Sequence, residues 1–243
     1  MRKVVFILLV SLALMACHRA VRVTGVTTEA IAVDASCDPI ADNAYTNYLQ
    51  PTKQALAREM DVQIGFAPET LWVAKPECPM LNWASDALWE AAKRACPEPV
   101  DMAVVNIGGM RCDWLPGPIT VGHIYELMPF DNHLVVLTLS GADILDLCAG
   151  FAERGGEGVA GLRMTAVDGR LAQVLIGDKV IDAKRNYRVA TSDYLSGGAD
   201  QMDALTRYSD YWDSELLIRD VYLDAVREQD TLRAKVDGRM NLL

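Results

Sequence analysis

Residues 133–139 read His-Leu-Val-Val-Leu-Thr-Leu, and Ser140 follows them directly into a stretch of helical spacing that stops at Gly155-Gly156. No other feature of the chain restricts its fold so closely. A run this apolar and this rich in β-branched residues suits a strand at a well-buried position in a sheet. Ser140 supplies an N-cap, Asp143 favours the first turn, and the glycine pair ends the helix near Arg154. Around this unit the same signals recur in irregular order. Asp38-Pro39 opens a helical pattern, with Asp38 as N-cap and Pro39 in the first turn. Its stripe of Ile40, Leu49, Leu56 and Met60 is kinked or divided by Pro51. A second helix runs from Met80 to Ala95 on Leu81, Ala84, Leu88, Ala91 and Ala95 and stops before Pro97. Strands are expected at 61–66, 71–74, 100–106, 118–121, 161–167, 171–176 and 187–192, with a short helix at 122–127. A last helix is expected near 214–228 on Leu217, Val221 and Ala225. Helices and strands mix without strict alternation, so the expected fold class is α+β, a mixed β-sheet packed with helices.

Composition narrows the chemistry. The 243 residues are 51 % hydrophobic and 23 % charged, which excludes disorder and collagen and permits a substantial core without metal or disulfide staples. Lys+Arg 23 against Asp+Glu 33 leaves a formal charge of -10, so a nucleic acid polymer is a poor partner. His18, His123 and His133 are the only histidines, and no HxH or HExxH spacing occurs. A histidine-rich metal centre is therefore not expected in this chain, and no cofactor is assigned to it.

The first residues carry a different message. Arg2 and Lys3 precede an apolar run from Val4 to Ala16, too short to span a bilayer, which reads as a secretory signal. Leu14-Met15-Ala16-Cys17 resembles a bacterial lipobox, in which the Cys17 thiol is lipidated and holds the mature chain to a membrane. An ordinary signal peptide cleaved nearby is the other reading, and both export the chain. The expected organisation is a signal peptide over 1–17, a tether over 18–37 with a short extended piece around Ala30 to Val33, and one domain over 38–243. Export permits disulfides among Cys37, Cys78, Cys96, Cys112 and Cys148, although buried free thiols are the competing expectation. Cys78 and Cys96 bracket a helix whose ends stand roughly 20 Å apart, which argues against joining them.

Gly156-Glu157-Gly158-Val159-Ala160-Gly161 matches the dinucleotide fingerprint GxGxxG, but it leaves a helix and enters a strand. A pyrophosphate needs the reverse order, so the segment is expected to be a flexible connection. Residues 104–111, Val-Val-Asn-Ile-Gly-Gly-Met-Arg, are more informative. Gly108 and Gly109 let backbone approach a ligand, Asn106 offers donor and acceptor, and Arg111 brings a planar fork suited to carboxylate or phosphate oxygens. Pro129-Phe130-Asp131-Asn132 sets an aromatic and an amide at the mouth of the buried strand. Asp193-Tyr194-Leu195-Ser196-Gly197-Gly198-Ala199-Asp200 sets a second aromatic and an acid around a glycine turn. Two such rings can clamp a purine or pyrimidine, the acid can accept from ribose hydroxyls, and Arg111 can meet a phosphate. Ordinary core positions for Phe130 and Tyr194 are the alternative.

Taken in order, residues 106–111, Gly117-Pro118-Ile119-Thr120, Met128 to Asn132, Ser140-Gly141 and Tyr187 to Tyr194 resemble the C-terminal, nucleotide-recognition domain of the 5′-nucleotidase family, over roughly residues 60–206. The resemblance implies that Asn106 and Arg111 contact nucleoside and phosphate, that Phe130 and Tyr194 stack the base, and that Asp200 binds ribose. Ile107, Ala199 and Gln201 stand where the family has glycine. Ala74 stands where members often carry an arginine and Leu81 where they carry a glycine, with Lys75 as a point-charge substitute. In the two-domain enzymes a preceding domain carries two metal ions and the attacking water. Together with the leader, which exports the chain, the resemblance implies a substrate-recognition half that binds a nucleoside or nucleotide, in nucleotide catabolism or scavenging, beside a separate metallophosphatase subunit that holds the divalent metals. A stand-alone nucleoside-binding lipoprotein and a degenerate structural module are the other readings.

Overall fold

A computed structural model describes residues 23–34 and 43–243; Cys17, Cys37, Asp38, Pro39 and Ile40 lie outside the described residues. The chain divides into two units, the first ending at Gln50 and the second running from Pro51 to Leu243. Residues 23–33 are exposed and form neither helix nor strand, so the extended piece around Ala30 to Val33 joins no sheet among the described residues. Helix α1 (Asn43–Met60) continues through Pro51 rather than dividing there. Its expected buried stripe does not form: Leu56 is 56 % exposed. Thr52 and Lys53 occupy the positions three and four residues after Leu49, so its apolar residues make no continuous face. No helix among the described residues is long and apolar enough to cross a membrane.

From Pro51 onward the fold is α+β with three sheets. A two-stranded antiparallel ribbon joins β1 (Gln63–Ala67) to β3 (Gly117–Thr120). The central sheet uses β2 (Met102–Val105), β4 (His133–Ser140), β5 (Gly158–Ala160), β9 (Asn186–Ser192) and β10 (Asp210–Leu217), in the order β10-β4-β9-β2-β5. Only β2 and β9 run parallel; the other neighbours are antiparallel. The third sheet takes β6 (Leu162–Val167), β7 (Arg170–Ile176), β8 (Lys179–Val180) and β11 (Met240–Leu242), with β11 parallel to β6.

Alternation along the central strands builds two cores. Leu134 and Val136 of β4, with Ala103 and Val105 of β2, face a cluster with α2 (Pro79–Ala95) and α6 (Ile218–Gln229). Val135, Leu137 and Leu139, with Met102 and Val104, face a second cluster with Ile144, Cys148 and Phe151 of α4 (Gly141–Arg154) and Met164 and Val174 of the third sheet. The strand read as well buried is thus covered on both faces. Each large side chain there contributes about 2 kcal/mol of burial before the entropy of ordering is set against it.

Two sequence expectations change. Residues 71–74 form no strand, only one bridge from Leu71 to Trp114. Residues 214–217 end strand β10 rather than start the last helix, and α6 begins at Ile218. Strand β10 pairs only with β4, and its Asp210, Asp213 and Glu215 face water, so its sequence imitates a solvated acidic surface. The four described cysteines, Cys78, Cys96, Cys112 and Cys148, are free; Cys78 and Cys96 cap opposite ends of α2.

Candidate functional site

One edge of the central sheet collects ends from all five of its strands. Leu217 of β10 pairs with His133, Leu134 pairs with Ser192, and Val105 pairs with Gly158. The parallel register Ala103 with Ala190, carried two residues on, brings Val105 level with Ser192. Neighbouring strands lie about 4.8 Å apart, so the segments just beyond these residues emerge side by side. They are residues 106–111, 129–132, 193–200, Glu157 and the first turn of α6.

All of these except Glu157 line a cleft of about 280 Å³. Asn106, Gly108, Gly109, Arg111, Phe130, Asn132, Tyr194 and Asp200, the eight positions singled out as binding residues from the sequence, all line it. Phe130 is 41 % and Tyr194 49 % exposed, so neither ring is a core residue.

Local chemistry holds each group. Asn106 leaves β2 and precedes a 3₁₀ turn over Ile107–Gly109. A Cβ on Gly109 would lie 2.8 Å from Asn106 Oδ1, so a side chain there would displace the amide from its place. Arg111 donates through Nη1 to the Gly108 carbonyl at 3.0 Å. Asn132 donates to Asp193 Oδ1 at 2.9 Å, and the same oxygen accepts the Tyr194 N–H at 2.7 Å, tying the segments that carry the two rings. Asp200 accepts from Asn106 Nδ2 at 2.5 Å and from the Tyr194 hydroxyl at 3.2 Å. The bond to Asp200 pushes the Tyr194 hydroxyl above its ordinary pKa, which keeps it a donor. Asp200 and Gln201 both adopt left-handed backbone, φ 54° and 60°, without glycine at either position. Gln201 thus keeps a backbone conformation that glycine favours, whereas Ala199 does not adopt one.

A pair not foreseen from the sequence braces both turns. Glu157 is 5 % exposed and accepts the Ile107 N–H at 2.8 Å; Arg154 donates to the Gln201 carbonyl at 3.0 Å. Arg154 Nε stands 3.8 Å from Glu157 Oε1, an ion pair looser than a hydrogen bond. Burial pushes the Glu157 carboxyl above its usual range. Its one sequence signal is an acid alone among glycines, three residues after an arginine. The loop around it leaves α4 and enters β5, and it is buried from residue 156 on. Gly156 has φ 111°, and a Cβ there would meet the Pro76 carbonyl at 2.4 Å. Lys75, a candidate phosphate ligand, instead donates to the Arg154 carbonyl at 2.6 Å and does not line the cleft.

Among the described residues no three His, Cys, Asp or Glu side chains converge as a metal-ligand set. What the cleft offers is binding: two aromatic faces, amides that donate and accept, one carboxylate and one guanidinium.

The family model for the 5′-nucleotidase C-terminal domain matches residues 63–207. The chain belongs to this family. The chain is similar in structure to part of a 5′-nucleotidase precursor from Thermus thermophilus, with TM-score 0.72 and 27 % identity over 85 % of this chain and 43 % of that one. The trifunctional nucleotide phosphoesterase protein YfkN of Bacillus subtilis is 29 % identical over 81 % of this chain and 14 % of its own length. A 5′-nucleotidase of Vibrio cholerae is 27 % identical over 58 % of this chain and 27 % of its own. The chain thus spans under a third of the length of these two curated relatives.

Proposed function

We propose that the cleft binds a nucleoside or nucleotide, with the base between Phe130 and Tyr194, the ribose at Asp200 and a phosphate at Arg111. The observation that supports this most directly is that two half-exposed rings, from segments more than sixty residues apart, share one cleft with a carboxylate and a guanidinium. A ribose diol would donate to Asp200, whose oxygens already accept from Asn106 and Tyr194, so the acid is oriented before ligand arrives. We read the domain as the recognition half of a 5′-nucleotidase-type phosphohydrolase. A metallophosphatase, on another domain or chain, would supply the metals and the attacking water. Holding the nucleoside positions its phosphate for in-line attack, and positioning contributes several kcal/mol to such a step. The basic and apolar leader and Leu14-Met15-Ala16-Cys17 support an exported, lipid-anchored location, which mass analysis of the mature N-terminus tests.

Calorimetry with adenosine and AMP tests the clamp. Stacking on an aromatic face is worth about 1–3 kcal/mol per base, so Phe130→Ala and Tyr194→Ala should each weaken binding by roughly tenfold or more. Both variants binding as tightly as wild type would remove the clamp. Phosphate release from AMP, measured with a metallophosphatase alone and mixed with this chain, tests the division of labour; no gain on mixing rejects it.

A further inference from the structure

Exposure falls sharply across the cleft. Phe130 and Tyr194 stand half in water, whereas Leu88, Val104, Ile218 and Tyr222, which line the same cavity, are at most 2 % exposed. The buried residues of its lining are apolar apart from two that carry a hydroxyl, Ser192 and Tyr222. That of Ser192 accepts the Leu195 N–H at 3.1 Å. That of Tyr222 is buried with no hydrogen-bond partner among the described residues. Tyr222 follows Ile218 by four residues in α6, so both lie on one flank of that helix. Ile218 N–H donates to the Asn132 carbonyl at 2.9 Å, which starts that flank beside the amide at the cleft mouth. The Trp83 ring packs on Tyr222 with centroids 5.3 Å apart and limits its freedom to turn elsewhere. A buried hydroxyl left unpaired costs stability, and a folded chain keeps one at little advantage unless a ligand completes it.

We infer that Tyr222 is a specificity-determining residue, its hydroxyl reading a polar group on the inward edge of the bound base. This rests on the nucleoside reading of the cleft. A phenol both donates and accepts, so it favours a base that presents a hydrogen-bonding group there and penalises one that presents a C–H. Selectivity among nucleosides then arises at Tyr222, while the two rings supply affinity that is nearly indifferent to base.

The test titrates wild type and Tyr222→Phe with adenosine, purine riboside (adenosine without its exocyclic amine), inosine and uridine. The expected result is that wild type separates at least two of the four by about tenfold or more, and that Tyr222→Phe compresses that ratio to within about threefold. Its melting temperature should equal or exceed that of wild type, because only an unpaired group is removed. An unchanged ratio in Tyr222→Phe overturns the inference even if Phe130→Ala still weakens binding. So does a melting temperature lowered by several degrees, which would reveal a partner inside the protein. A wild type that binds none of the four overturns the clamp and the inference together.

Discussion

Glu157 does its work at one remove from the cleft, through a single hydrogen bond to the Ile107 N–H. Replacing it separates bracing from mere packing. Glu157→Leu leaves that N–H unpaired, and a buried hydrogen bond is worth about 1 kcal/mol, so nucleoside affinity should fall by roughly fivefold. Glu157→Gln keeps an acceptor and should hold affinity within about twofold of wild type by calorimetry. If both variants bind alike, the bond does not position Asn106. The glutamine variant also carries a pH signature. Burial raises the folded-state pKa of Glu157, so just above the ordinary carboxylate range the folded chain holds a proton that the unfolded chain has released. Stability is then lost as pH rises through that window, and Glu157→Gln should flatten the slope in denaturation measured across it. At this scale the sequence was legible where chemistry is local: Asn106, Gly108, Gly109 and Arg111 announce themselves within six residues. Glu157, Arg154 and Tyr222 could not be read, because each owes its role to which strand ends lie beside it.

Elements were legible in proportion to how deeply they are buried. The helix expected over Met80 to Ala95 is α2, and the one capped by Ser140 is α4, because caps and apolar spacing coincide in both. Strand β10 escaped notice because its burial alternates weakly and its exposed carboxylates hide the period. Helix α1 was misread for the opposite reason, a few apolar residues suggesting a face that its polar neighbours interrupt. The α4–β5 connection lies between helix and strand as expected and is closely packed. Gly156→Ala measures how firmly that packing holds. A methyl would press on the Pro76 carbonyl from a backbone angle that side chains rarely adopt, at a cost of about 3 kcal/mol. Urea denaturation should show the loss, and a loss below about 0.5 kcal/mol would mean that the loop yields.

Across the whole molecule, two cores share one sheet, and Cys148 reports on the second of them. It is fully buried, and burial pushes its thiol up to about 12. Thiolate is the reactive form, so native Cys148 should be alkylated only as fast as the core opens, well behind the half-buried Cys96 and Cys112. Mass spectrometry after timed labelling checks this; equal rates at Cys148 and Cys112 would mean that the second core breathes freely. The family likeness was legible at this scale from the order of its motifs, whereas the pairing that unites them was not, since no local pattern states that β2 and β9 run the same way.

The register between β4 and β9 has an outcome for how errors are filtered. A slip of one residue between β4 and β9 would shift Asn132 against Asp193 and also turn Leu134, Val136 and their neighbours inside out. A chain with a misaligned recognition edge is therefore also a chain whose two cores are both mispacked. Defective copies would reveal themselves to proteases and chaperones before they could compete for ligand.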